Sequence, residues 1–238
     1  MNKITSYFEG RDLLRDGKGN TKTAKNDVQT FYLSLQPTDL NSKGENLCKF
    51  STKECRSMCL QHTGRQGFSN VRESREKKTE FFVQLKKEFL EKLYGELEKI
   101  EDKYTEAAIR LNLLSDVNWE LEFQKHLKKS MSSFKNIQFY DYTKDFIKIY
   151  DNKLDNYHLT LSFSGGNWKQ CERVLRNKLA NVAVVFKGGL PATYQGYKVV
   201  DGDESDMRFK DGKGVIVGLK YKTPHGVKYS QNKFVVEI

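Results

Sequence analysis

Three of the chain's four cysteines lie in one stretch, Cys48 to Gly67 (CKFSTKECRSMCLQHTGRQG), with the spacing C-x6-C-x3-C. Thiolates held close together repel unless a cation shares their charge, so Cys48, Cys55 and Cys59 point to a metal centre. Sulfur donors favour zinc or an iron–sulfur cluster over magnesium or calcium. A cluster with an open iron would do chemistry, whereas a closed zinc site would only hold the loop. His62, on the same loop, and the distant Cys171 are the candidates to complete the ligand set. The plainer alternative is a set of small buried hydrophobes, or a disulfide with spare thiols, and a lone cysteine such as Cys171 on a helix is usually packing. A helix beginning near Thr52 would put Cys55 and Cys59 on one face.

Carboxylates form a second set. Asp201 and Asp203 alternate along an extended segment and would share a face, with Asp206 beyond, so they could hold a divalent ion for phosphodiester cleavage. Turn chemistry explains the same DGDES residues, with Arg208 and Lys210 near enough to neutralise them. Asp116 and Glu120 also follow a strand and could join this group. Asp141, Tyr142 and Lys144 form a third cluster, so the candidate catalytic residues are Asp116, Glu120, Asp141, Lys144, Asp201 and Asp203. Lys220 and Lys222 offer phosphate contacts, as do Arg56, Arg65, Arg72 and Arg75 in and beyond the cysteine loop. Ser164 to Asn167 exposes backbone N–H groups before a helix and suits an anion. There is no Walker loop, no G-x-S-x-G elbow and no H-x-H pair, which counts against nucleoside-triphosphatase, hydrolase-triad and relaxase chemistry.

Positioning these residues requires a repeated strand-then-polar-end pattern. Residues 30–35, 107–114, 137–140, 157–163, 181–186, 197–200 and 215–219 read as strands. Their apolar runs, such as VAVVF and VIVGL, are what burial on both faces requires. Helices are expected over 70–100, with a break at Gly95, and over 119–129 and 168–179. The pattern implies an α/β fold with mostly parallel strands, a TIM-like full or partial barrel with the cysteine-rich loop after the first core strand; an open α/β sheet is the second choice. Residues 1–27 read as a polar arm, with Lys22 and Lys25 as a phosphate-contacting part, and 28–238 as one domain.

At 238 residues, 37 % hydrophobic and 30 % charged, with three prolines, the chain is long and apolar enough for a real core and is not disordered. No apolar run spans a bilayer and no signal-peptide core opens the chain, so a cytoplasmic location with free thiols and no membrane partner is expected. The net charge of +10 favours an acidic partner, above all nucleic acid. Lysine-rich solubility would give the same balance.

The ordered series LSLQP, LCKFSTKECRSMCL, RLNLLSDVNWE, FYDYTK, NYHLTLSFS, NVAVVF, VVDGDESDMRF and GVIVGLKYK resembles the phage gene-product-88 family, over roughly residues 20–222. That resemblance implies a phage setting, hence the host cytoplasm, but no mechanism. The layout is also similar to radical S-adenosylmethionine enzymes, which implies an iron–sulfur cluster and S-adenosylmethionine, although their C-x3-C-x2-C spacing is absent. Whether the protein is an enzyme stays open. It reads as a metal or iron–sulfur barrel enzyme acting on nucleic acid or nucleotide. The alternatives are a zinc-stapled DNA- or RNA-binding protein or a metal-dependent nuclease using Asp201 and Asp203, and, as a weaker third, a regulator that binds a host protein.

Overall fold

The computed structural model of the chain describes residues 3–19, 28–223, 229 and 231–238. Lys22 and Lys25 lie outside the described residues. In chain order the elements are α1 (Lys3–Tyr7), β1 (Arg15–Asp16), β2 (Gln29–Tyr32), α2 (Lys53–Ser57), α3 (Ser69–Gln84), α4 (Lys86–Lys103) and β3 (Ala107–Arg110). Then come α5 (Trp119–Leu127), β4 (Ile137–Thr143), α6 (Phe146–Asp151), β5 (Tyr157–Ser162), α7 (Trp168–Arg176) and β6 (Asn181–Lys187). The chain closes with β7 (Thr193–Tyr194), β8 (Tyr197–Asp201), β9 (Ile216–Lys220) and β10 (Val235–Glu237).

The strands form one sheet in the order β1-β2-β3-β4-β5-β6-β9-β8-β7, with β10 also on β6. From β2 to β8 every pairing is parallel, and only the edge strands β1 and β7 run antiparallel. The fold is therefore mixed α/β with a mostly parallel sheet, and all the long strands point their carboxyl ends the same way. Among the described residues β1 and β7 do not pair, so the sheet is an open run and the expected barrel closure is not part of it.

Alternation along the strands separates two faces. Ile109, Phe139, Leu159, Leu161, Val182, Val184 and Ile216 join Phe82, Phe89, Trp119, Phe123 and Val174 from the helices in one large core. The opposite face carries a much smaller apolar cluster, Val28, Ala108, Tyr140 and Met207, with polar side chains such as Arg110 and Tyr142 and, on β6 and β9, Ala183, Val185, Val217 and Leu219. Strands β2 to β6 are neighbours in space as in sequence, each joined to the next by helical crossovers. Right-handed crossovers place such helices on one side of the sheet, which leaves the other side free for a site.

The long helix is broken at Leu85 (φ −132°, ψ 61°) and not at Gly95, which lies inside α4. The bend turns Phe81 and Phe82 onto Phe89, with ring centroids 5.4 and 5.3 Å away, so core packing outweighs the glycine's low helix propensity. The described part of the 1–27 arm is docked: Leu13 and Leu14 are buried, and their backbone N–H groups donate to Glu96 of α4 at 2.8–2.9 Å. Phe8 stacks on Phe81 at 5.2 Å.

Strand β5 pairs with the first half of β6, at Asn181 to Ala183, and β10 with the second half, at Val185 to Lys187. The carboxyl-terminal strand thus takes over where β5 leaves the sheet. Two glycines permit this approach. A Cβ on Gly165 (φ +94°), just past β5, would stand 2.9 Å from the Lys233 backbone. One on Gly188 (φ +102°), just past β6, would stand 2.5 Å from the Ile238 carbonyl oxygen.

Candidate functional site

A cavity of about 190 Å³ opens at the carboxyl ends of the parallel strands. Its walls are Arg110 and Asn112 at the end of β3, Tyr142 and Lys144 at β4, Ser162 at β5, Val185 on β6, Asp203 past β8, and Lys220 and Lys222 at β9. Cys55, Met58 and Cys59 from the cysteine loop and Phe234 before β10 complete it.

The cysteine loop is fastened to the strand ends. Thr52 caps α2, its hydroxyl accepting from the Cys55 N–H at 3.1 Å and donating to the Ser164 carbonyl at 2.9 Å. The Asp116 N–H donates to the Leu47 carbonyl at 2.7 Å. From the other side, Asn232 donates to the Glu54 carbonyl at 3.3 Å and to Ser57 Oγ at 3.0 Å, and Tyr221 reaches Met58 Sδ at 3.7 Å. The segment before β10 therefore holds α2 over the cavity. Helix α2 ends at Ser57, so Cys59 is not on its face with Cys55; the chain turns at Cys59 (φ −64°, ψ 134°) into a short 3-10 turn.

Cys48 and Cys55 are buried and Cys59 is half-buried, and all are free thiols. Burial pushes Cys48 up to about 11, with Lys144 working against the rise and Asp116, Cys55 and Cys59 adding to it. Burial also raises Cys59, partly offset by a backbone N–H at Gln61, with Cys55 adding to the rise. Burial works against the charge of Lys144, but Cys55, Cys48, Asp116 and Cys59 together hold its ammonium above the ordinary value. Of these, Cys55, Cys59 and Lys144 line the cavity, and Cys48 does not. Among the described residues no three His, Cys, Asp or Glu side chains stand in ligating geometry.

The remaining expected ligands are elsewhere. His62 is exposed. Cys171 is fully buried in α7 within the large core, on the helix side of the sheet, and burial pushes its thiol up to about 12.

Several expected catalytic carboxylates are occupied by structural partners. Asp116 accepts from Thr143 Oγ1 at 2.8 Å and from the Lys144 N–H at 2.8 Å, and it pairs with Lys148 at 3.5 Å. Asp141 points to the helix side, where it accepts from the Asn112 N–H at 2.7 Å and from the Tyr157 hydroxyl at 2.8 Å; burial pushes it up to about 6. Glu120 caps the turn after α5 by accepting from Ser130 Oγ and the Met131 N–H, both at 2.7 Å, and it does not line the cavity. Asp201 accepts from the Asp203 N–H at 2.7 Å and pairs with Lys220 at 3.1 Å; Asp203 pairs with Lys222 at 3.4 Å. The cations beside this turn's carboxylates are therefore Lys220 and Lys222, both with side chains more than half exposed.

The arginines divide similarly. Arg75 is 2 % exposed and braces the loop, donating to Gln36 Oε1 at 2.6 Å and to the Gln66 carbonyl at 3.1 Å, so it does not belong to a nucleic-acid surface. Arg72 is exposed and pairs with Glu76 at 3.7 Å. Arg56 is exposed and donates to Ser51 Oγ at 2.9 Å; Arg65 is also exposed.

Sequence reading passed over Arg110 and Ser162, and it grouped Asp206 only with Asp201 and Asp203. Arg110 Nη1 lies 3.5 Å from Asp206 Oδ2, and its guanidinium sits 4.6 Å from the Tyr142 ring centre. The signal was present: an arginine ends AAIR at the position that shares a face with Ala108.

These features define a mixed α/β protein with a cysteine-flanked cavity at the strand carboxyl ends. The chain matches the Gene product 88 family model over residues 12–236 and belongs to that phage family. A search of curated proteins and one of solved structures each return no match. No helix among the described residues is long and apolar enough to cross a membrane.

Proposed function

We propose that this chain is a phage enzyme whose catalytic centre is the strand-end cavity, with Cys48, Cys55 and Cys59 holding an iron–sulfur cluster or zinc ion at its edge and a nucleotide or nucleic acid as substrate. The observation that carries the reading is that Cys55, Cys59 and Lys144 line one cavity at the strand carboxyl ends, with Cys48 buried in the same loop. A zinc staple would close the loop on itself. Here Cys55 and Cys59 open onto the space where a substrate would lie, which favours a centre with a free coordination position. The sequential parallel strands, with the cavity at their carboxyl ends, support a partial barrel with its site at that rim. S-adenosylmethionine is relevant only to the iron–sulfur form.

In this reading the chain's own residues have defined tasks. Lys144 offsets the negative charge of the sulfurs. Asp116 holds Lys144's backbone and Thr143 in place. Apolar walls at Val185, Leu219 and Phe234 exclude water from the inner part of the cavity.

Metal analysis and visible absorbance of anaerobically purified protein test the proposal. Brown protein with iron and sulfide, lost in C48A, C55A and C59A alike, is the expected result. Colourless protein with one zinc and no ligand in the cavity would favour the non-catalytic, zinc-stapled reading. Metal-free protein whose cysteine variants behave as wild type would overturn both.

A further inference from the structure

Of the chain's 15 phenylalanines, Phe50 and Phe68 alone are mostly exposed, at 52 % and 56 %. Both lie in or at the end of the cysteine loop, and Leu60, 47 % exposed, lies between them in the chain. Leu60 also lines the cavity, so this part of the loop stands at the cavity's edge. Exposed apolar side chains scattered singly are ordinary, but three in one loop beside a cavity mark a contact surface. The charge around them is of one sign. From Cys48 to Arg72 the basic residues are Lys49, Lys53, Arg56, Arg65 and Arg72, all exposed, and Glu54, half-buried, is the one acidic residue. Arg56 reaches back to Ser51 Oγ at 2.9 Å, next to Phe50 in the chain. The Arg72 N–H donates to the Phe68 carbonyl at 2.9 Å, so Phe68 and Arg72 stand one turn apart on one helix face. The pairing of Arg72 with Glu76, at 3.7 Å between half-exposed side chains, is too weak to hold it from another anion.

We propose that the cysteine loop binds a single-stranded nucleic acid, with the Phe50 and Phe68 rings stacking on bases, Arg56 and Arg72 meeting the phosphates beside them, and the strand passing Leu60 toward the cavity. The rings favour a single strand, because a duplex covers its base faces with neighbouring bases and a single strand leaves them open. The cations favour nucleic acid over an apolar partner surface, because each aromatic side chain has an arginine near it and a polyanion supplies a charge beside every base. The inference rests on the nucleic-acid form of the proposed function, but not on the metal.

Fluorescence polarisation on the full chain, with metal content measured in parallel, decides it. The probes are labelled oligo(dT), oligo(U) and a DNA duplex of the same length, and the two single strands tell DNA from RNA. At least one single strand should bind more tightly than the duplex. F50A and F68A should each weaken that binding at least about fivefold, the low end for one base stacked on an aromatic ring, and leave the salt slope unchanged. R56A should instead flatten the slope by about one counterion. F68W keeps a ring face and should bind like wild type, whereas F68L keeps only apolar bulk and should bind like F68A; this pair carries the test if an alanine variant does not fold. Duplex binding as tight as that of both single strands, or wild-type affinity in F50A and F68A, overturns the inference. So does a concentration-dependent dimer in sedimentation that F50A/F68A abolishes, because a second copy then covers the rings. Metal-free protein that still binds single strands through the rings sinks the metal proposal alone. Metal-loaded protein that binds no oligonucleotide sinks this one alone.

Discussion

At the scale of single residues, the carboxylates that look reactive in sequence are mostly engaged in holding the strand ends. Asp116 is the clearest: its side chain is 1 % exposed, and removing it leaves Lys148 buried beside a lost partner. Breaking a buried pair from one side costs about 3–5 kcal/mol. D116A should therefore lower stability by that order in urea denaturation, and D116N should recover part of the loss; a variant that unfolds like wild type but is inactive would instead make Asp116 catalytic. His158 gives a pH signature. Burial first, then Arg208 and Lys213, lower it to about 4 from 6.5. The unfolded chain thus binds the proton more readily, so this group's contribution is complete above about pH 6.5 and is lost as pH falls toward about 4. The stability difference between wild type and H158Q should shrink over that window, and a constant difference would contradict the assignment.

At the scale of elements, the insertion of β10 beside β6 assembles the site. It brings Phe234 to the cavity wall and Asn232 to the helix that carries Cys55. Gly188 is the position on which this depends, because it combines a left-handed φ with the closest approach to the last strand. G188A should cost more than the usual glycine-to-alanine change in a loop, about 2 kcal/mol or above. It should also expose the carboxyl-terminal strand to limited proteolysis while the rest of the sheet stays protected. Unchanged melting and cleavage would show that β10 tolerates displacement. The break at Leu85 belongs to the same scale: it is decided by which aromatic rings must meet the sheet, and Gly95 has no part in it.

At the scale of the whole molecule, a net charge of +10 remains after local pairing. Arg75 is taken up by internal partners, which leaves Arg56, Arg65 and Arg72 as the exposed arginines of the cysteine loop and its flank. If nucleic acid is the substrate, contact is chiefly with phosphates, and affinity falls steeply with salt. R65A/R72A should weaken binding to all sequences by a similar factor and flatten the salt slope by about one to two counterions, read by fluorescence polarisation. Absence of binding at low salt would restrict the substrate to a nucleotide-sized molecule.

Much of this was legible in the residues alone. Stretches such as NVAVVF and YHLTLSF declare strands, because burial on both faces needs an unbroken apolar run. Thr52 declares a helix start, because its hydroxyl satisfies an otherwise idle N–H. The parallel arrangement followed from strands alternating with helical patterns, and it put the polar strand ends on one rim. Tertiary structure alone decided which polar residues are free to act. Asp141 and Lys144 are three positions apart in one segment, yet the pleat sends one to the helix side and the other to the cavity. Asp201 and Asp203 are met by lysines at and just past the end of β9, nineteen residues later. Arg110 acquires its place only when Tyr142 and Asp206 arrive from two other parts of the chain. Periodicity and capping are properties of neighbours in sequence and can be read there. Charge pairing and cavity formation depend on the register between strands, which only the folded sheet sets.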